Sequence, residues 1–142
     1  MRRLDPDELA YRRGRAIEVV ERLSEFFLSR RVCWWSGAFA AIAERVRDEE
    51  YDEAFRMYSA LPRAGMGGLD DLVIAPINKT PNEDPRMDHA RFWTLEWMVT
   101  MVFGNFRSYV QGRGTKRVGI DISAEAVEAK AKKQVQKWDK NR

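Results

Sequence analysis

One histidine, one cysteine, a glycine-rich turn and two adjacent aspartates are the places where this 142-residue chain has residue types and spacing suited to chemistry. His89 follows Asp88 at a predicted helix start, where a carboxylate-oriented imidazole would act as a general base. Adjacent helical residues do not face each other, so a surface or capping histidine is the simpler expectation. Cys33 stands beside Trp34 and Trp35; a nucleophilic thiol needs a base, a cation or a helix N-terminus to lower its pKa, and Arg30 and Arg31 are the cations near it. It reads as a buried structural thiol. Gly65-Met66-Gly67-Gly68 suggests a phosphate cradle, but the Lys-Ser/Thr of a P-loop is missing and no strand leads into it. A turn with positive φ explains the glycines. Asp70 and Asp71 have the chemistry to hold Mg²⁺ or share acid/base work, yet hydrogen bonding to their own loop is the plainer role. With one histidine and one cysteine there is no His/Cys metal set, no internal disulfide and no proton relay. The expectation is therefore no catalytic residue, no metal and no cofactor.

The elements that must position these residues are helical. The composition is 44% hydrophobic, 33% charged and 11% aromatic, that of a soluble globule with room for one core. Asp5-Pro6-Asp7-Glu8 supplies a cap, a proline at the first helical position and a capping-box glutamate. Ala16, Val20, Leu23 and Phe27 then repeat at helical spacing. Trp35, Phe39, Ile42 and Val46 mark a second helix ending near Asp48. The run Asp48 to Glu53 opens a third, with Tyr51, Phe55, Tyr58 and Leu61 as its stripe and Pro62 as its stop. A fourth, capped near Asp88, carries Phe92, Leu95, Val99, Val102 and Phe106; Trp93, Trp97, Met98 and Met101 make it apolar almost all round, as for a central core helix. Gly112-Arg113-Gly114 breaks it. After an extended stretch from Arg117 to Ile122, Ser123 caps a last helix with a narrow stripe of Val127, Ala131, Val135 and Trp138.

The fold class expected is all-α, a single-domain bundle of about five helices with a long Gly/Pro-containing loop between helices three and four. Residues 1–112, with the loop at 62–86, form the helical core, and 113–142 add a basic C-terminal segment to the same domain. Leu69, Leu72 and Ile74 are expected to hold the loop against the bundle.

Charge is uneven. Residues 113–142 carry nine basic side chains against four acidic ones, a net +5, so the overall +3 leaves −2 for the rest. A basic terminal helix suits solubility or contact with an acidic partner or nucleic acid. Phosphate contacts would come from Arg113, Lys116, Arg117, Lys130, Lys132, Lys133 and Lys137, although no recognised nucleic-acid motif accompanies them. The apolar run Phe92 to Phe106 falls short of the ~20 residues that span a bilayer, and no secretory leader is expected after Arg2 and Arg3. The chain is expected to be cytoplasmic, with no membrane partner.

The segment Gly65 to Asn78, Gly-Met-Gly-Gly-Leu-Asp-Asp-Leu-Val-Ile-Ala-Pro-Ile-Asn, resembles a family of small bacterial proteins with a Gly-Met-Gly-small-apolar-Asn/Asp-Asp-Leu-hydrophobic segment after an aromatic-rich helical half. Trp34-Trp35 and the helix around Phe55 and Tyr58 are similar to that family as well. Asp70 stands where its pattern often has asparagine. The resemblance covers roughly the first 110 residues and leaves the basic last helix outside it. Its members look like immunity proteins encoded beside secreted antibacterial toxins, which implies a non-catalytic binding protein whose partner is a cognate toxin. The partner surface is then expected at Trp34, Trp35, Glu49, Glu50, Asp52, Met66, Asp70 and Asp71: aromatic anchors beside carboxylates that pair with basic residues of the toxin. The alternative is a nucleic-acid-binding accessory protein that uses the basic C-terminal segment.

Overall fold

Asp5 opens the first helix by accepting a hydrogen bond from the Asp7 backbone N–H at 3.0 Å, with Pro6 at the first helical position. Glu8 does not reach back to close a capping box; its carboxylate pairs with Arg12 and Arg117 instead. In the computed structural model, which describes residues 4–62 and 84–141, five helices follow in chain order. They are α1 (Pro6–Ser29), α2 (Cys33–Arg47), α3 (Tyr51–Ala60), α4 (Pro85–Val110) and α5 (Ala124–Lys140). The fold is all-α, and among the described residues there is no strand.

Helix α1 packs against α2 and α4, α2 against α3, and α4 against α5. The spacing of apolar residues decides this arrangement, because each stripe lies on one side of its helix. Leu23, Phe27, Phe39, Ile42, Phe92, Met98, Phe103 and Phe106 are almost wholly buried. Phe27 sits at the centre, with ring centroids 5.7–6.3 Å from Phe92, Phe39, Phe26 and Trp35. A second aromatic knot joins Phe55 and Tyr58 of α3 to Phe103 of α4, at 5.8 and 4.6 Å.

Helices α1, α2 and α4 end alike. The N–H two residues beyond each C-cap donates to the third carbonyl from the helix end: Val32 to Phe27, Glu50 to Arg45 and Arg113 to Ser108, at 2.8, 2.9 and 3.0 Å. The motif needs a left-handed residue. Gly112 supplies it after α4, but Arg31 (φ 60°) and Glu49 (φ 61°) hold it after α1 and α2, where a side chain costs about 1 kcal/mol relative to glycine.

The stretch between α4 and α5 pairs with no strand. Side chains satisfy its carbonyls instead: Arg12 donates to Thr115 (2.8 Å), Asn105 to Lys116 (2.7 Å) and Arg15 to Ile120 (2.6 Å). Arg12 is buried, and its other donors go to Glu8 and Asn105. These bonds fasten the stretch across α1 and α4, and so fix where α5 begins.

Two sequence expectations change at α4. Its cap is Asp84, which accepts from the Arg86 N–H at 2.9 Å, so the helix starts a turn before Asp88. Asp88 is buried within α4 between Arg30 and Arg91. The loop anchors Leu69, Leu72 and Ile74 lie outside the described residues.

Candidate functional site

Helix α4 is not apolar all round in the way a central helix would be buried. Trp93, Trp97 and Met101, at steps of four, are 54%, 36% and 39% exposed, while Phe92, Leu95, Val99 and Val102 face inward. Helices α1, α3 and α5 cover the other sides and leave this strip open. Helix α5 borders it. Val127, Ala131 and Val135 are buried at steps of four, with Ala131, Val135 and Trp138 packed against Ala90 and Met87. That phase puts Lys130, Lys133 and Lys137, at steps of three and four, on an exposed side of α5.

The two strips meet. Lys130 Nζ lies 3.5 Å from the centroid of the Trp97 ring, within cation–π range. Trp138 meets Trp93 edge-on at 6.3 Å, and His89 lies 5.9 Å from Trp93 and 6.0 Å from Trp138. Burial lowers the His89 pKa, favouring the neutral ring, and its neighbours are aromatic rather than acidic. It packs the cluster and is not placed as a base oriented by Asp88. Beside the strip runs an open groove of about 590 Å³ lined by Trp97, Met98, Ile120, Ala126, Ala129 and the stems of Lys130 and Lys133, with Asp121 at its edge. Lys132, Lys133 and Lys137 are exposed and form no ion pair among the described residues.

Most other charges are already engaged. Glu49 accepts from Arg13 and Glu50 from Arg45, both at 2.9 Å, so two of the acidic partner residues expected from sequence are ion-paired; Asp52 is exposed. Arg117, placed in the basic segment as a phosphate contact, donates to Glu8 at 2.9 Å and lies 4.0 Å over the Tyr11 ring. Its two partners hold Glu8 down at about 2. Arg113 and Lys116 are exposed. A second cleft, of about 510 Å³, opens between α1, α4 and the start of α5, floored by Phe26, Leu95 and Val127. Two of its three arginines are committed, Arg30 and Arg91 each reaching Asp88 at 2.7 Å and Arg91 also holding Glu128 at 2.7 Å, while Arg22 pairs with Glu18 at 3.0 Å through one terminal nitrogen and keeps its Nε buried without a partner among the described residues. Burial pushes the Asp88 carboxyl up, but the two arginines outweigh it and keep it ionised below its ordinary value.

Trp34 and Trp35 divide as consecutive helical residues must: Trp34 is 63% exposed and Trp35 is buried against Phe27 and Phe39. Cys33 is exposed, with Sγ 3.8 Å from the Arg31 carbonyl, so the expectation of a buried thiol fails. Its helix begins at that residue, leaving the side chain on the outer side of the turn. Met66, Asp70, Asp71 and the glycines at 65–68 lie outside the described residues. Among the described residues no three His, Cys, Asp or Glu side chains converge as a metal site, and no helix is long and apolar enough to cross a membrane.

Comparison with protein-family models, with curated proteins and with solved structures finds no match. Sequence reading assigned Trp93 and Trp97 to the core. The signal against that was the second stripe itself, since a helix carrying Phe92, Leu95 and Val99 on one side and Trp93, Trp97 and Met101 on another needs more neighbours than four companion helices provide.

Proposed function

We propose that this chain is a non-catalytic binding protein and, following the resemblance at Gly65 to Asn78, an immunity protein that neutralises a cognate toxin by direct contact. The supporting observation is the face shared by α4 and α5, where two exposed indoles and a methionine border lysines that form no ion pair among the described residues. Tryptophan is enriched among the residues that dominate interface energies, and unpaired charge at a rim steers encounter. The nearest imidazole is packed among aromatic rings, and the buried carboxylate Asp88 is held by two arginines. These observations support a reading of recognition.

A stoichiometric titration tests the role. If a neighbouring gene encodes a secreted toxin, that toxin, mixed with increasing amounts of the chain, should lose activity in proportion and reach full inhibition near one chain per toxin. Inhibition by far fewer chains than toxin molecules would indicate catalysis, and no inhibition at any ratio would remove the immunity role.

The exposed lysines of α5 also support the nucleic-acid alternative, with Lys130, Lys133 and Lys137 meeting phosphates. Affinity would then fall steeply with salt, by about one unit of log–log slope per contact. Arg117 is already engaged with Glu8, and Asp121 sets a like charge against phosphate at the groove.

A further inference from the structure

The groove between α4, the stretch before α5, and α5 itself has an apolar floor and a cationic wall. Met98, Ile120, Ala126 and Ala129 form the floor, and the Trp97 ring closes one side. Lys130 and Lys133 rise from the other, and Lys137 continues the row one turn on, about 10 Å from Lys130 along the helix. Such a row matches carboxylates repeated every three or four residues on a facing helix, with apolar side chains between them to fill the groove.

Resting on the binding-protein reading above, we propose that this groove seats an acidic amphipathic segment of a protein partner, its carboxylates on Lys130, Lys133 and Lys137 and its apolar side chains against Trp97 and the groove floor. Charge complementarity selects the occupant. A row of lysines with no ion pair among the described residues calls for anions, and an apolar floor calls for side chains that a phosphate backbone lacks. Single-stranded nucleic acid would need open indole faces for its bases. One face of Trp97 is taken by Lys130, and the more open indole, Trp93, is not in the groove lining. Asp121, kept ionised by the Ser123 N–H that donates to it, sets a like charge at the groove edge for any anionic occupant, so the apolar floor is what separates an acidic peptide from a phosphate backbone.

The test titrates the full chain with four probes: a labelled helical peptide of Leu and Glu with Leu at every third and fourth position, the same peptide with Lys for Glu, a fifteen-nucleotide thymidine oligomer, and vesicles of phosphatidylcholine with phosphatidylglycerol. Only the acidic peptide should bind. Its affinity should fall about tenfold in Lys133→Glu/Lys137→Glu, and by a similar factor in Trp97→Ala. Because Trp97 is half-buried, the lysine variant, altered at exposed positions alone, carries the decision, with circular dichroism checking that it folds. Binding of the oligomer or vesicles in preference to the acidic peptide would overturn the proposal. So would binding of no probe, or acidic-peptide binding unchanged by the lysine reversal. Failure of the immunity role is read separately, by the toxin titration, since the peptide experiment involves no toxin.

Discussion

The turn between α2 and α3 and the outer side of α5 both look, in sequence, like blocks of charge offered to a partner. In the structure they differ. Glu49 and Glu50 are answered by Arg13 and Arg45, whereas Lys133 and Lys137 are answered by nothing among the described residues. The second region also adjoins exposed indoles. A run of like charge is thus a weak guide to function until its pairing is known. Arginines supply the cation in the ion pairs of Glu8, Glu49, Glu50 and Asp88, because a planar, forked guanidinium can satisfy carboxylates and carbonyls together, as Arg12 does. The lysines of α5 remain outward.

The largest expected effect lies on the paired side of this contrast. Asp88→Ala strips the common partner from Arg30 and Arg91, and should cost on the order of 2–3 kcal/mol in urea denaturation, below the 3–5 of a fully buried pair because both arginines keep some contact with water. Acidic-peptide affinity of the folded variant should be unchanged. A loss under about 0.5 kcal/mol would place Asp88 among ordinary surface charges.

Charge reversal at the two regions sharpens the contrast. Lys133→Glu/Lys137→Glu should weaken inhibition in the proposed toxin titration about tenfold in half-maximal concentration, roughly 1.4 kcal/mol. Glu50→Lys should leave it near wild type, the Arg45 pair being exposed and worth under about 1 kcal/mol. Equal losses from the two would show that the acidic turn is also a partner surface.

A smaller effect, of opposite sign, is expected at Glu49. Replacing it by glycine relieves about 1 kcal/mol of left-handed backbone but loses an exposed ion pair and loosens the unfolded chain, so Glu49→Gly should raise stability by no more than about 0.5 kcal/mol in thermal unfolding. Destabilisation would mean that the pair with Arg13 outweighs the backbone strain.

The same position shows what sequence could and could not disclose. Helical stripes, Asp5, Pro62, Gly112 and Ser123 gave the fold class and most of the boundaries, because they act through local geometry. The ends of α1 and α2 were harder: Arg31 and Glu49 occupy positions where glycine is the usual signal. The cap of α4 is Asp84 and not Asp88, whose carboxylate is drawn into the helix side by pairing with Arg30 across 58 positions, a long-range contact that local spacing does not encode. Which stripe of α4 faces water depends on how many helices surround it, a tertiary matter that periodicity does not encode. Trp34 and Trp35 had to separate by helical geometry, but which one turned inward was fixed by Phe27 and Phe39.

The central claim is that recognition belongs to the α4–α5 face, and the chain's five tryptophans report on it individually. In a ¹⁵N-labelled sample titrated with the acidic Leu/Glu peptide, the indole N–H signals of Trp93 and Trp97 should shift on binding, while Trp34, exposed at the start of α2, and Trp35, buried in the core, stay fixed. Movement of Trp34 with Trp93 and Trp97 unmoved would contradict the claim.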